Sequence, residues 1–257
     1  MQAARLPISY GWVWIIQGWA LFKRQPMAML FWSLMTSLLI NLSYLIPVLG
    51  QLTLIAATPA LGFIALNACR HIENNESILP KMWLAPLKNA KVKIAMLHLG
   101  LVYLLFCFVA GFIAVLPFTN GIMEAMAGND INPADLIAAV RAPFILFGIL
   151  YLGITVLFWF APPLMAWHQI PLKKALFYSM VSCWRNKGAL ILFGVCWAII
   201  YFSMQFVVDY LVASVTDSSW IYFLFTPLNL LMIAVLYSSF YPIYRSVLGQ
   251  KNTPVLP

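Results

Sequence analysis

Six runs of about twenty apolar residues, separated by short segments that hold nearly all of the charge, constrain this chain more than any other feature. Hydrocarbon roughly 30 Å thick is crossed by about 20 residues of helix at 1.5 Å each. The runs lie near 26–46, 48–69, 94–116, 142–167, 188–212 and 220–244. A soluble body is excluded: with 63% of 257 residues hydrophobic and 9% charged, too little polar surface remains to cover one. The expected fold is therefore all-α, a polytopic membrane helical bundle of six transmembrane helices forming one integral membrane domain over 1–257. The first two runs are separated only by Ile46-Pro47-Val48, which predicts a tight helical hairpin.

Charge distribution orients the bundle. Arg5, Lys23 and Arg24 precede the first span; Arg70, Lys81, Lys88, Lys91 and Lys93 lie between the second and third; Lys173, Lys174, Arg185 and Lys187 lie between the fourth and fifth; Arg245 and Lys251 follow the sixth. Only Arg141 falls on the other side, with Glu124, Asp130, Asp135, Asp209 and Asp217. The positive-inside rule then predicts that both termini lie in the cytoplasm. The net charge of +8 thus reflects loops beside anionic headgroups, and no nucleic-acid motif accompanies it. Lys81, Lys88, Lys91, Lys173 and Lys174 are the candidate contacts to anionic lipid, each worth roughly 1 kcal/mol near the surface.

Ahead of the first span, Pro7 to Phe22 is apolar but broken by Gln17 and closed by Lys23 and Arg24, with no small-residue cleavage site, so it is expected to stay on the mature protein. Trp12, Ile15, Ile16, Trp19 and Phe22 recur at helical spacing, which predicts a helix lying in the interface. A seventh span is the rival reading. Similar basic, amphipathic stretches precede the other odd-numbered spans. In Leu79 to Lys93 the stripe is Leu79, Met82, Trp83, Leu87 and Ala90; in Leu172 to Lys187 it is Leu172, Leu176, Met180 and Trp184. The even spans each contain proline, at Pro59, at Pro162-Pro163 and at Pro227. These patterns predict a threefold, parallel internal repeat of interface helix, span, turn and span, with units 9–70, 79–168 and 172–248.

Reaction chemistry is sparse. No Asp, Glu, Lys or Arg falls at mid-span, where such residues mark ion or proton pathways; Asp209 and His98 read as interfacial. His71, Glu73 and Glu76 form the one local cluster of histidine and carboxylates, better read as loop surface than as a metal site, with His168 at a comparable exit after span four. No Walker A, dinucleotide fingerprint, H-E-x-x-H or G-x-S-x-G motif occurs, and no cofactor is expected. Cys69, Cys107, Cys183 and Cys196 lack metal or disulfide spacing and read as small core hydrophobes. Asn41, Gln51, Asn67 and Gln205 are candidates for interhelical hydrogen bonds, and Trp12, Trp19, Trp83, Trp184 and Trp220 for interfacial anchors. Pro117 to Arg141, with Gly121, Gly128, Asn129, Asp130 and Pro133, is the longest outer loop, and Ala134 to Val140 is predicted to form a short helix within it.

Gly18-Trp19-Ala20-Leu21-Phe22-Lys23, Ile46-Pro47-Val48-Leu49-Gly50, Thr58-Pro59-Ala60-Leu61 and Tyr241-Pro242-Ile243-Tyr244-Arg245 run through nearly the whole chain. Through them the sequence resembles a proteobacterial family of six-span inner-membrane proteins of unknown function. More distantly, the amphipathic helix followed by two spans is similar to the membrane domain of some glycerophosphodiester phosphodiesterases, whose catalytic domain has no counterpart here. The resemblance implies a fold and no site residues. The expected function is a non-catalytic membrane protein that binds, organises or regulates membrane components, its partners being membrane lipids and other inner-membrane proteins. The alternative is a transporter or channel for a neutral, amphipathic or lipid-like solute, which a polar cavity between spans two, four and six would favour and a fully packed apolar interior would exclude. An enzyme built on His71 or His168 is the remaining reading.

Overall fold

A computed structural model describes residues 3–127, 133–213 and 219–249, and among them every regular element is helical. Gly128, Asn129, Asp130, Asp217, Lys251 and the Trp220 side chain, weighed above, lie outside the described residues. The helices are α1 (Tyr10–Arg24), α2 (Pro26–Ser43), α3 (Leu49–Glu73), α4 (Ala90–Val115), α5 (Thr119–Met126), α6 (Pro133–Phe158), α7 (Ala161–His168), α8 (Leu172–Arg185), α9 (Lys187–Ala213) and α10 (Ser219–Leu248). Six segments cross the membrane: α2, α3, α4 continued by α5, α6 continued by α7, α9 and α10. The predicted short helix at 134–140 is instead the first two turns of α6, and the outer segment contributes α5.

The hairpin between α2 and α3 turns over residues 44–48. Val48 takes φ 65° and ψ −60°, and the Leu49 N–H donates to the Pro47 carbonyl at 2.8 Å, which closes a γ-turn. Gly50 makes this possible, since a Cβ there would sit 2.0 Å from the Ser43 carbonyl oxygen. Small residues likewise set the closest helix approaches deeper in the bundle. Gly100 of α4 faces Ala56 of α3, whose carbonyl a Cβ would meet at 2.1 Å, and Ala234, Ser238 and Ser239 give α10 a fully buried small face. In lipid, where apolar surface alone does not drive helices together, such close backbone contact is a main source of association.

α1 lies across one end of the bundle and does not cross it. At its start, the Ala4 N–H donates to the Val247 carbonyl and the Leu6 N–H to Asn186 Oδ1; at its end, Arg24 donates to the Glu73 carbonyl and Gln25 Nε2 to that of Glu76. All these anchors sit where α3 and α10 end and α9 begins. Gly11 packs against α9 and Gly18 against α10, with Trp14 fully buried between them and its indole N–H donating to Ser246 Oγ at 2.7 Å. The predicted apolar stripe divides: Ile15 and Phe22 are buried, whereas Trp12, Ile16 and Trp19 face outward.

α8 corrects its expected orientation more fully. Its buried residues are Ala175, Ser179, Ser182 and Cys183, while Trp184 of the predicted stripe is 68% exposed and Met180 is exposed too. The small face permits close docking, and the large apolar residues remain for lipid. Between spans two and three the amphipathic stretch is not a continuous helix. Two short 3-10 turns at 80–82 and 85–88 replace it, because Pro80 and Pro86 start new turns and Pro86 lacks the N–H that a helix would need. Trp83 nevertheless buries itself, stacking on Trp32 of α2 with centroids 4.8 Å apart.

Candidate functional site

Span four is broken in mid-bundle. α6 ends at Phe158 and α7 begins at Ala161, because Pro162 and Pro163 cannot donate to the preceding turn. The gap is spliced from outside the span. Ser179 of α8, fully buried, accepts from the Phe160 N–H at 2.9 Å and donates to the Val156 carbonyl at 3.0 Å. In an unbroken helix those two groups would bond to each other; the hydroxyl has inserted itself between them. An interrupted helix in a membrane is tolerated where the freed backbone is satisfied by protein and lines a cavity.

A half-open cavity lies beside the break, with Thr58 and Tyr151 of its lining exposed. It measures about 270 Å³ and is bounded by α3, α4, α6, α7 and α10, and so lies between spans two, four and six with one wall from span three. Phe63, Phe158, Trp159, Phe160 and Phe240 give it aromatic walls, Pro59, Pro162 and Pro163 come from spans two and four, and Gly62 opens onto it with nothing within 4 Å of where a Cβ would stand. Its polar lining includes the hydroxyls of Thr58, Thr155, Tyr244 and the pair Tyr103 and Tyr151, whose oxygens are 2.9 Å apart. No charged side chain lines it.

None of the amides singled out from sequence lines this cavity. Asn67 faces a second pocket nearer the basic end, Gln51 is half-buried beside the hairpin, Gln205 donates to Asp209 Oδ1 at 3.3 Å, and Asn41 Nδ2 donates within its own helix to the Ser37 carbonyl. The tyrosines and threonines that do line it were hidden among ordinary span residues. Their signal was the prolines: a double proline in span four left carbonyls that needed partners, and a space beside them.

The clustered titratable residues are engaged in structural pairs. His71 Nδ1 meets Glu76 Oε2 at 2.5 Å, Glu73 is ion-paired with Arg245, and His168 Nε2 bonds the Tyr244 hydroxyl at 2.7 Å. Among the described residues no three His, Cys, Asp or Glu side chains gather as metal ligands. The four cysteines are free; Cys69 and Cys183 are buried, and burial pushes the Cys183 thiol up to about 12. His98 faces a shallow groove with Lys91 between α4 and the α7 to α8 corner. Lys81, Lys88, Lys91, Lys173 and Lys174 are all exposed, at the end of the bundle where α4 and α8 begin.

Over 272 aligned positions the chain is 31% identical to a probable inner membrane protein of Burkholderia thailandensis, covering 100% of this chain and 98% of that protein. No protein-family profile matches the chain. No solved structure matches it either. The more distant likeness to phosphodiesterase membrane domains has no counterpart among these findings.

Proposed function

The chain belongs to a family of proteobacterial inner-membrane proteins and spans that membrane several times, and from this premise we propose that it is a non-catalytic binder of membrane components whose ligand is an amphipathic, lipid-like molecule. The molecule sits in the cavity between spans two, four and six. Passage of such a molecule through the bundle is the transport form of the same reading.

The observation that carries this reading is the break at Trp159 and Phe160 beside the cavity. Breaking a helix in hydrocarbon leaves backbone groups whose cost is several kcal/mol each unless partners are supplied. Here Ser179 satisfies two of them, and the space beside the break, about 270 Å³, falls just short of the roughly 300 Å³ at which ligand sites begin. Aromatic walls suit apolar matter, and hydroxyls at their centre suit one or two polar atoms.

Filling the space tests it. Gly62→Leu adds a side chain where a Cβ meets nothing, so the bundle is expected to fold as the wild type does while losing a ligand and the stabilisation that ligand supplies. Native mass spectrometry after mild detergent purification is expected to find one tightly held amphipath on the wild type and none on the variant. The same adduct on both would contradict the reading.

The exposed lysines support a second, compatible role at the bilayer surface. With both termini in the cytoplasm, Lys81, Lys88, Lys91, Lys173 and Lys174 face the anionic leaflet, each adding roughly 1 kcal/mol. Replacing all five with glutamine is expected to abolish the preference for anionic over neutral liposomes. An unchanged preference would remove this role.

A further inference from the structure

A second pocket of about 320 Å³ separates the cavity from the basic end of the bundle, lined by Asn67, Arg70, His71, Asn89 and Trp167 among others. Phe63 belongs to the walls of both spaces, so they are neighbours divided by side chains. The partition is aromatic. Phe63 meets Trp167 edge to face at 5.5 Å, Trp167 meets Tyr244 at 5.0 Å, and Tyr244 is held by its bond to His168. The Trp167 ring also carries the Arg70 guanidinium, 5.1 Å from the centroid.

Arg70 differs from the arginines around it. Arg245 is paired with Glu73 and Arg24 donates to the Glu73 carbonyl, while the Glu76 carboxylate meets His71. Among the described residues no carboxylate lies within ion-pair distance of Arg70. An exposed cation therefore stands at the mouth of a pocket, one aromatic layer away from an uncharged cavity. The guanidinium fork matches a carboxylate or phosphate, with which it forms two parallel charge-assisted bonds.

We infer that the ligand is a single-chain amphipath with an anionic head: carboxylate or phosphate on Arg70, chain lying past Trp167 into the cavity. This rests on the cavity reading above. The size of the cavity sets the chain number, because about 270 Å³ accommodates one chain or ring system and not two. Asn67 and Asn89 add amide donors beside the head, and Trp167, only half-buried, is the element that moves to join the two spaces.

The test uses the full chain in nanodiscs of zwitterionic lipid, with a fluorescent polyene fatty acid and its methyl ester as probes. The wild type is expected to bind the acid at least about tenfold more tightly than the ester, which is what one bidentate charged contact supplies. In Arg70→Gln the acid falls to the affinity of the ester, whose own binding is unchanged; Arg70→Lys keeps part of the difference. Excess inorganic phosphate, which has the charge without the chain, is expected not to displace the acid. Equal affinity for acid and ester in the wild type, loss of ester binding in Arg70→Gln, or displacement by phosphate overturns the inference. Failure of both probes to bind the wild type, or undiminished binding of both to Gly62→Leu, instead overturns the cavity reading on which it depends.

Discussion

Ser179 is the residue on which the break in span four depends. Its hydroxyl replaces a backbone bond on both sides, so Ser179→Ala leaves a buried N–H and a buried carbonyl without partners, at about 1–3 kcal/mol for each group. Ser179→Ala is expected to lower the melting temperature in detergent, and Ser179→Thr, which keeps the hydroxyl, to recover most of the loss. Unaltered melting in the alanine variant would mean that the break is satisfied in some other way. Nothing in the local sequence distinguishes this serine from Ser182 on the same helix, because its role is decided by the helix break nineteen residues upstream at Phe160. The aromatic and hydroxyl residues of the cavity were hidden for the same reason. Side chains such as Tyr103 and Tyr151 are unexceptional in a span until folding places their oxygens together.

For single helices the sequence was far more legible. Hydrophobic length located all six spans, since a run of apolar residues in hydrocarbon has only one way to satisfy its backbone, but it started span four about eight residues late and left out the α5 continuation of span three. Pro162 and Pro163 marked where span four is interrupted, whereas Pro59 and Pro227 sit inside unbroken helices, and two more, Pro80 and Pro86, turned the second amphipathic stretch into short turns. What the pattern misassigned was the docking face of α8. Apolar periodicity signals burial in water, but in a membrane the large residues face lipid and the small ones face protein, so Trp184 is outside and Ala175 and Ser179 are inside. α1 follows the same rule. Gly18→Leu would drive a side chain into Ser239, whose Oγ lies 2.2 Å from the added Cβ and whose Cα lies at 2.7 Å, and the displacement of α1 is expected to cost about 1–3 kcal/mol. Thermal unfolding of Gly18→Leu should show that loss, while Ala20→Leu on the exposed side of α1 should not.

Across the whole molecule, basic residues and the anchored helices α1 and α8 occupy one end of the bundle, while Glu124, Asp135 and Asp209 lie toward the other. This polarity predicts that a C-terminal green fluorescent protein fusion fluoresces and a C-terminal alkaline phosphatase fusion is inactive; the reverse pair would invert the orientation. The same architecture gives the break, the cavity and the basic pocket a common line from mid-membrane to the Arg70 end. A high-resolution structure in lipid nanodiscs would observe what occupies that line. Elongated density enclosed by Phe63, Tyr103, Tyr151 and Phe240 is the predicted result. A cavity collapsed onto itself, with ordered lipid confined to the outer lysines, would contradict it.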